Sequence, residues 1–228
     1  MGIPVLIIGK SGTGKSRSMK NCVGKDFGLI RVLNKPLPFR GKIGGNITHD
    51  YAAINKAVVS PQWPKSIIID DAGYLITGQF MDGHNSTGKG NAVFSLYNDM
   101  ADNFYRMIQC IADNAPLDRV VYIVMHEDTN EFGDIKPKTI GKLLDEKVCI
   151  EGMCTIVLRA VHTDDYYFVT QTRDGAVSKS PDDMFESVEI PNDLLMVDNA
   201  IREYYGIVNP KNMDKQEDEA NETDRRME

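Results

Sequence analysis

Ile3-Pro4-Val5-Leu6-Ile7-Ile8-Gly9-Lys10-Ser11-Gly12-Thr13-Gly14-Lys15-Ser16 opens the chain with an apolar run that feeds straight into a complete G-x-x-x-x-G-K-[ST] phosphate loop. A buried strand delivers such a loop to the end of a sheet. Its glycines let backbone N–H groups turn inward around phosphates, and the helix that follows directs its positive end at them. The spacing therefore assigns nucleotide binding to Gly9, Lys10, Ser11, Gly12, Thr13, Gly14, Lys15, Ser16 and Arg17, with a helix expected from Arg17 to Cys22. Lys15 would reach the β and γ phosphates of ATP, and Ser16 would place its hydroxyl on Mg2+, a hard cation that takes oxygen ligands and keeps several waters.

A second stretch, Ser66-Ile67-Ile68-Ile69-Asp70-Asp71, is an apolar strand ending in two carboxylates, bounded by Pro64 and Gly73. Its unbroken β-branched run marks a central parallel strand, expected to lie beside the first. Asp70 is then the second metal residue, holding Mg2+ through water. Asp71 is placed to orient or deprotonate an attacking water, with a helix N-cap as its alternative role. A third apolar run, Val120 to Met125, ends at His126. A histidine there either senses the γ phosphate through the attacking water or merely caps the strand.

With 228 residues the chain suits one α/β domain, taken as residues 1–210, followed by an acidic tail at 211–228 that holds seven acids against four bases and is expected to be disordered. The net charge of −7 speaks against coating nucleic acid by bulk charge, while leaving room for a local basic loop. Cys22, Cys110, Cys149 and Cys154 form no C-x-x-C pair and are each expected to be buried thiols, as in a reduced, cytoplasmic protein. The first strand starts almost at once, which leaves no room for a signal peptide. No apolar run reaches the length of a membrane span, and Leu6 stands where a myristoylation motif needs Ser or Thr, so no membrane partner is expected.

Between the motifs, Gly28 to Leu33 reads as a strand, residues 34–45 as an irregular Pro/Gly-rich stretch, and Tyr51 to Val59 as a helix, which is doubly wound order. Residues 77–90 are glycine-rich without an apolar face and are expected to be a mobile loop. Residues 92–114 carry Val93, Leu96, Tyr97, Met100, Phe104, Met107, Ile108 and Ile111 at helical spacing, the longest helix. Residues 153–161 and 166–172 alternate as an antiparallel hairpin around His162-Thr163-Asp164, residues 171–181 follow as a loop exposing Arg173 and Lys179, and residues 194–205 read as a short amphipathic helix.

Taken together, the phosphate loop at the extreme N-terminus, the Ile67-Ile68-Ile69-Asp70-Asp71 strand, His126-Glu127, the Pro137-Lys138-x-x-Gly141-Lys142 segment and the hairpin leading to Arg173 and Lys179 resemble a family of small RecA-like phage ATPases. These are the short RadA-like proteins of phage replication modules linked to single-strand annealing and recombination. The resemblance covers most of residues 1–205, and it implies a three-layer RecA-like core with a mainly parallel sheet and a C-terminal antiparallel hairpin. It further implies a homo-oligomeric ring or filament with ATP at a subunit interface, where a neighbour's Arg173 or Lys179 stabilises transition-state charge in trans. RecA-type enzymes take a catalytic Glu from the strand between the two motifs, yet no glutamate lies between Lys15 and Asp71; only Asp26 and Asp50 precede the acid pair there. That departure puts Asp71 first as the base and Asp50 as its substitute.

The loop beyond His126 carries Phe132, Lys136, Lys138 and Lys142, with Lys147 further on, and its place resembles the loop with which RecA-like proteins touch single-stranded DNA. Backbone charge and an aromatic platform are the minimum for sequence-independent strand binding, and a plain solvated face is the alternative. The expected function is ATP-driven work on single-stranded DNA in phage recombination or replication, with a single-strand-binding protein or a helicase as partner. A small-molecule kinase of nucleotide type is the second expectation, although the scattered arginines (Arg106, Arg119, Arg159, Arg173) build no Arg-rich lid. An ATP-gated adaptor such as a helicase loader is the third.

Overall fold

A computed structural model describes residues 1–85, 91–141 and 143–208. The strands are β1 (Ile3–Gly9), β2 (Phe27–Arg31), β3 (Gly45–Ile47), β4 (Ser66–Asp70), β5 (Val120–Thr129), β6 (Ile135–Pro137), β7 (Ile156–His162), β8 (Tyr166–Val169) and β9 (Glu189–Pro191). The α-helices are α1 (Tyr51–Val59), α2 (Gly73–Gly83), α3 (Asn91–Asn114) and α4 (Leu194–Tyr204). They build an α/β fold on one mixed, mostly parallel sheet of nine strands in the order β3-β2-β4-β5-β1-β7-β8-β9, with β6 pairing β5.

Two cores lie on the two faces of this sheet, and strand alternation sorts residues between them. From β1, Leu6 and Ile8 join α1, α2 and α3 on one face, while Val5 and Ile7 join α4 and the turn after the phosphate loop on the other. Helices thus cover both faces, which is why β1 from Pro4 onward, β4 and the first half of β5 are buried. Among the described residues no helix is long and apolar enough to cross a membrane.

The acid strand does not lie beside the loop strand, contrary to the sequence expectation. Strand β5 runs between them, parallel to both, pairing Gly9 with His126 on one side and Ile69 with Ile123 on the other. This order wedges His126 between the loop and the acids. Past His126, β5 leaves the parallel sheet and turns back through β6, pairing Glu127 with Pro137 and Thr129 with Ile135. Asn130 ties the tip of that hairpin: its Oδ1 accepts from the amides of Phe132 at 3.0 Å and Asp134 at 2.8 Å. The sequence reading had placed only a loop here.

Other elements depart as well. The segment after the loop is helical over the expected residues, Arg17–Cys22, but as a 3-10 helix. Residues Thr77 to Gly83, read as loop, continue α2, because Gly83 lets Leu96 of α3 approach so closely that a Cβ would lie 2.7 Å from its Cδ1. Phe80 adds an aromatic contact to Tyr97. Residues 86–90 of that segment, Lys142 and the tail expected at 211–228 lie outside the described residues. The hairpin expected after residue 153 forms as β7 and β8, with β7 also joining β1 in parallel register. Cys22 and Cys154 are buried as expected, whereas Cys149 is exposed and Cys110 half-buried.

Candidate functional site

The carboxyl ends of β1, β4 and β5 converge at one edge of the sheet, which is where open α/β sheets bind ligands. The phosphate loop leaves β1 there. Gly12 and Gly14 take left-handed φ values of 84° and 91°. At Gly14 the requirement is double, since a Cβ would also sit 2.6 Å from the Tyr166 ring and 2.9 Å from Asn192 Oδ1. The Lys15 ammonium is folded back inside the loop, donating to the carbonyls of Gly9 at 2.7 Å and Lys10 at 2.6 Å. Burial draws its pKa down to about 8, against the opposing pull of Asp71, Glu127 and Asp70.

Ser16 donates to both oxygens of Asp70, at 3.1 and 3.2 Å, so the two residues read as metal-holding already face each other. Among the described residues no group of three or more His, Cys, Asp or Glu could hold a metal ion. One hydroxyl and one carboxylate at a phosphate loop fit Mg2+, which takes few protein oxygens and fills its octahedron with water and phosphate. Burial first, and then the Asp71 charge, push the Asp70 carboxyl up to about 6. A raised carboxyl pKa means that the folded chain holds this proton more tightly than the unfolded chain does. Stability of the metal-free protein should therefore fall as pH rises from the ordinary carboxylate range towards 6, at a cost of roughly 3 kcal/mol above it. Asp70→Asn should accordingly be more stable than wild type at pH 7.5 and no more stable at pH 4. Urea denaturation without divalent cations at the two pH values checks this.

Asp71 lies just past β4 with φ of 61°, a conformation that L-residues seldom adopt. Its side chain does not cap α2, whose N-cap is Ala72. Instead Asp71 is buried against the Lys35 ammonium, and its Oδ1 is 3.8 Å from His126 Nε2. His126 Nδ1 is 3.5 Å from Lys15 Nζ, which can only donate, a placement that suits a ring accepting at Nδ1 and carrying its proton on Nε2. Burial and the Lys15 charge both lower the His126 pKa and favour that neutral form.

Lys35 was missed in the sequence. It sits in the Pro/Gly-rich stretch that carries no motif, and its only signal is its place just beyond the carboxyl end of β2, a parallel strand paired with β4. Asp50, weighed as a substitute base, is instead the N-cap of α1, accepting from the Ala52 amide at 2.9 Å. Neither it nor Asp26 lines a cleft at this edge. Arg173 and Lys179 do not line the chain's own site either: Arg173 pairs with Glu189 and Asp174, and the Lys179 backbone bridges Val157.

Two clefts meet across this cluster, sharing Ser11, Lys35 and His126. One, of about 690 Å³, runs along the loop past Lys15 and Ser16 to Arg17, Phe39, Arg40 and Tyr166. Arg17 lies 4.5 Å over the Tyr166 ring, which stacks in turn on His162, giving the far end a flat cationic and aromatic wall. The other, of about 730 Å³, lies towards Tyr74, Thr77, Glu127 and Lys138. Glu127 is held by a bidentate bond from Arg159, at 2.8 and 2.9 Å, across β1 from strand to strand. Phe132, at the hairpin tip, is 90% exposed, Lys136 stands on the returning strand and Lys138 just past its end, with the Lys138 amide bonded to the His126 carbonyl at 2.7 Å.

No protein-family model matches this chain, and no curated protein matches it in sequence.

Proposed function

We propose that the chain binds ATP with Mg2+ and hydrolyses it to ADP and phosphate, in the service of single-stranded DNA work in phage recombination or replication inside the host cytoplasm. The observation that carries the hydrolytic reading is the convergence of Lys15, the Ser16–Asp70 pair, Asp71 and His126 at the carboxyl ends of three parallel strands, with Lys15, Ser16, Asp71 and His126 lining one cleft.

In this reading the ammonium of Lys15 leaves the Gly9 and Lys10 carbonyls for the β and γ phosphates, while loop amides hold the α and β phosphates. Ser16 and Asp70 would hold the metal ion, which neutralises charge on the phosphates. Asp71 takes the proton of the attacking water, and His126, whose Nε2 lies 3.8 Å from the same carboxylate, stands beside it at the water's position. Arg17 and Tyr166 offer the base a stacking wall.

The DNA part rests on the β5–β6 hairpin. It carries the exposed Phe132 at its tip, Lys136 on β6 and Lys138 where it returns to His126, so strand contact along it bears on the residue that would face the γ phosphate. ATPase turnover is expected to rise when single-stranded DNA is added, and assembly, followed by light scattering, to depend on a nonhydrolysable ATP analogue. Phe132→Ala should abolish the stimulation and leave basal turnover alone. Turnover and assembly indifferent to DNA and nucleotide would overturn the DNA reading. A RecA-like oligomer, with a neighbour's Arg173 or Lys179 at the nucleotide, belongs to the same proposal and predicts that an Asp71→Ala protein mixed with an Arg173→Ala or Lys179→Ala protein regains activity.

The second cleft favours one other reading, a phosphotransferase whose acceptor occupies it against Lys10 and Lys138. Transfer of labelled phosphate from ATP to a nucleoside monophosphate, in place of release to water, would select that reading.

A further inference from the structure

The backbone of Lys35 is anchored through both its carbonyl and its amide. Its carbonyl accepts from Arg31 at 3.1 Å, its amide donates to Leu33 at 2.9 Å, and Pro36 behind it restricts its backbone to extended conformations. The strand before it is pinned to the acid strand, since Arg31 pairs with Asp70 and the Val32 amide donates to the Asp70 carbonyl at 3.2 Å. A fixed backbone with a flexible four-carbon stem gives the ammonium a short, defined reach. Its side chain is 48% exposed while that of Asp71 is 4% exposed, so one partner is free to swing and the other is not. Lys35 also lines both clefts, placing it where they join, beside Lys15 and His126.

We propose that Lys35 is a catalytic cation supplied in cis, whose ammonium passes from Asp71 to the γ-phosphoryl oxygens when ATP binds and so uncovers Asp71 for the attacking water. The inference rests on the hydrolytic reading above. Lys35 is paired with Asp71 Oδ2, and the carboxylate has no lone pair to offer along that direction. A γ phosphate brings more negative charge than one carboxylate and more acceptor oxygens, so it competes for the ammonium. In the step that follows, the water oxygen bonds to the γ phosphorus and the bond to the β–γ bridging oxygen breaks with its electron pair going to ADP. The water proton passes to Asp71 and then to solvent. Lys35 and Lys15 meet the charge spread over the γ oxygens from within the chain, beside any cation a neighbour adds. Diphosphate alone lacks the oxygens that draw Lys35 away, so ADP leaves Asp71 covered.

The experiment compares wild type, Lys35→Ala and Lys35→Arg by ATP turnover and by calorimetric titration with ADP and a nonhydrolysable ATP analogue. Lys35→Ala is expected to lower kcat by about 100-fold to 1000-fold, the range for one lost transition-state donor. It should also weaken the analogue by about tenfold while leaving ADP within about twofold, with Lys35→Arg recovering part of both, because the lost contact is a single charged bond to the third phosphate. Mixing Lys35→Ala with Asp71→Ala protein is expected to restore nothing, since both residues serve one site in one chain. Unchanged kcat and unchanged preference for the analogue over ADP in Lys35→Ala would overturn the proposal, as would rescue in the mixture. A wild-type chain that binds neither nucleotide would instead overturn the hydrolytic reading itself.

Discussion

Replacing Lys15 with methionine is expected to lower kcat/KM for ATP by about 1000-fold or more, a loss of roughly 4 kcal/mol of transition-state stabilisation, while leaving the fold intact. Methionine keeps the length and the apolar stem of the side chain, so the change isolates the charge. In the structure that charge is poorly placed: it is buried, its pKa is drawn down to about 8, and its partners are two backbone carbonyls of its own loop. A group held at such cost stabilises the folded state little, and its removal should leave thermal unfolding of the apoprotein unchanged or slightly improved. Phosphates would replace those carbonyls with full negative charge inside a water-poor loop, where a charge-assisted bond is strongest. Binding of a fluorescent ATP analogue, turnover and a thermal melt on the same preparation check the three parts. Normal turnover by Lys15→Met would remove the loop from the active site altogether.

What the sequence made legible follows from how local each signal is. The first strand, the Ser66–Asp70 strand and α1 are each fixed by residues within a short window, and each appears where its pattern puts it. Strand order is not local. Nothing in residues 66–71 says that β5 will separate them from β1, and it is this insertion that turns His126 from a strand-end histidine into a neighbour of both Lys15 and Asp71. The helix through Thr77 to Gly83 was hidden for a related reason. Gly78 and Gly83 lower helix propensity, and the gain that offsets them, close packing on Leu96, comes from a helix further along the chain. Lys35 was hidden because its partner Asp71 is remote in sequence and its own surroundings are prolines. Asp50 was misjudged by the opposite error, a carboxylate weighed for chemistry when its place ahead of α1 already described a cap.

The largest stability effect is expected far from the loop, at the buried pair of Asp198 and Arg202 on α4. Asp198 Oδ1 accepts from Ser66 at 2.7 Å and from Tyr122 at 2.8 Å, its Oδ2 accepts from Arg202 Nε at 2.8 Å, and Arg202 also donates to Ser66 at 2.8 Å and to the Asp118 carbonyl at 3.1 Å. Asp198, Ser66 and Tyr122 have no solvent exposure and Arg202 has 4%. Arg202→Met would leave a carboxylate in that dry site without its guanidinium, and breaking a buried pair in this one-sided way costs about 3–5 kcal/mol. For a chain of this size that corresponds to a fall in Tm of roughly 10 °C. Asp198→Asn combined with Arg202→Met removes both charges while keeping an oxygen for the Ser66 and Tyr122 hydroxyls, and should recover more than half of the loss. An equal or deeper loss in the double variant would show that the guanidinium contributes by packing and not by pairing. The network also reaches the site: Ser66 begins the strand that ends in Asp70, and Tyr122 lies on β5 four residues before His126. Arg202→Met is therefore expected to loosen the ends of β4 and β5 together, raising KM for ATP at temperatures well below its own Tm, whereas the double variant should bind ATP as wild type does.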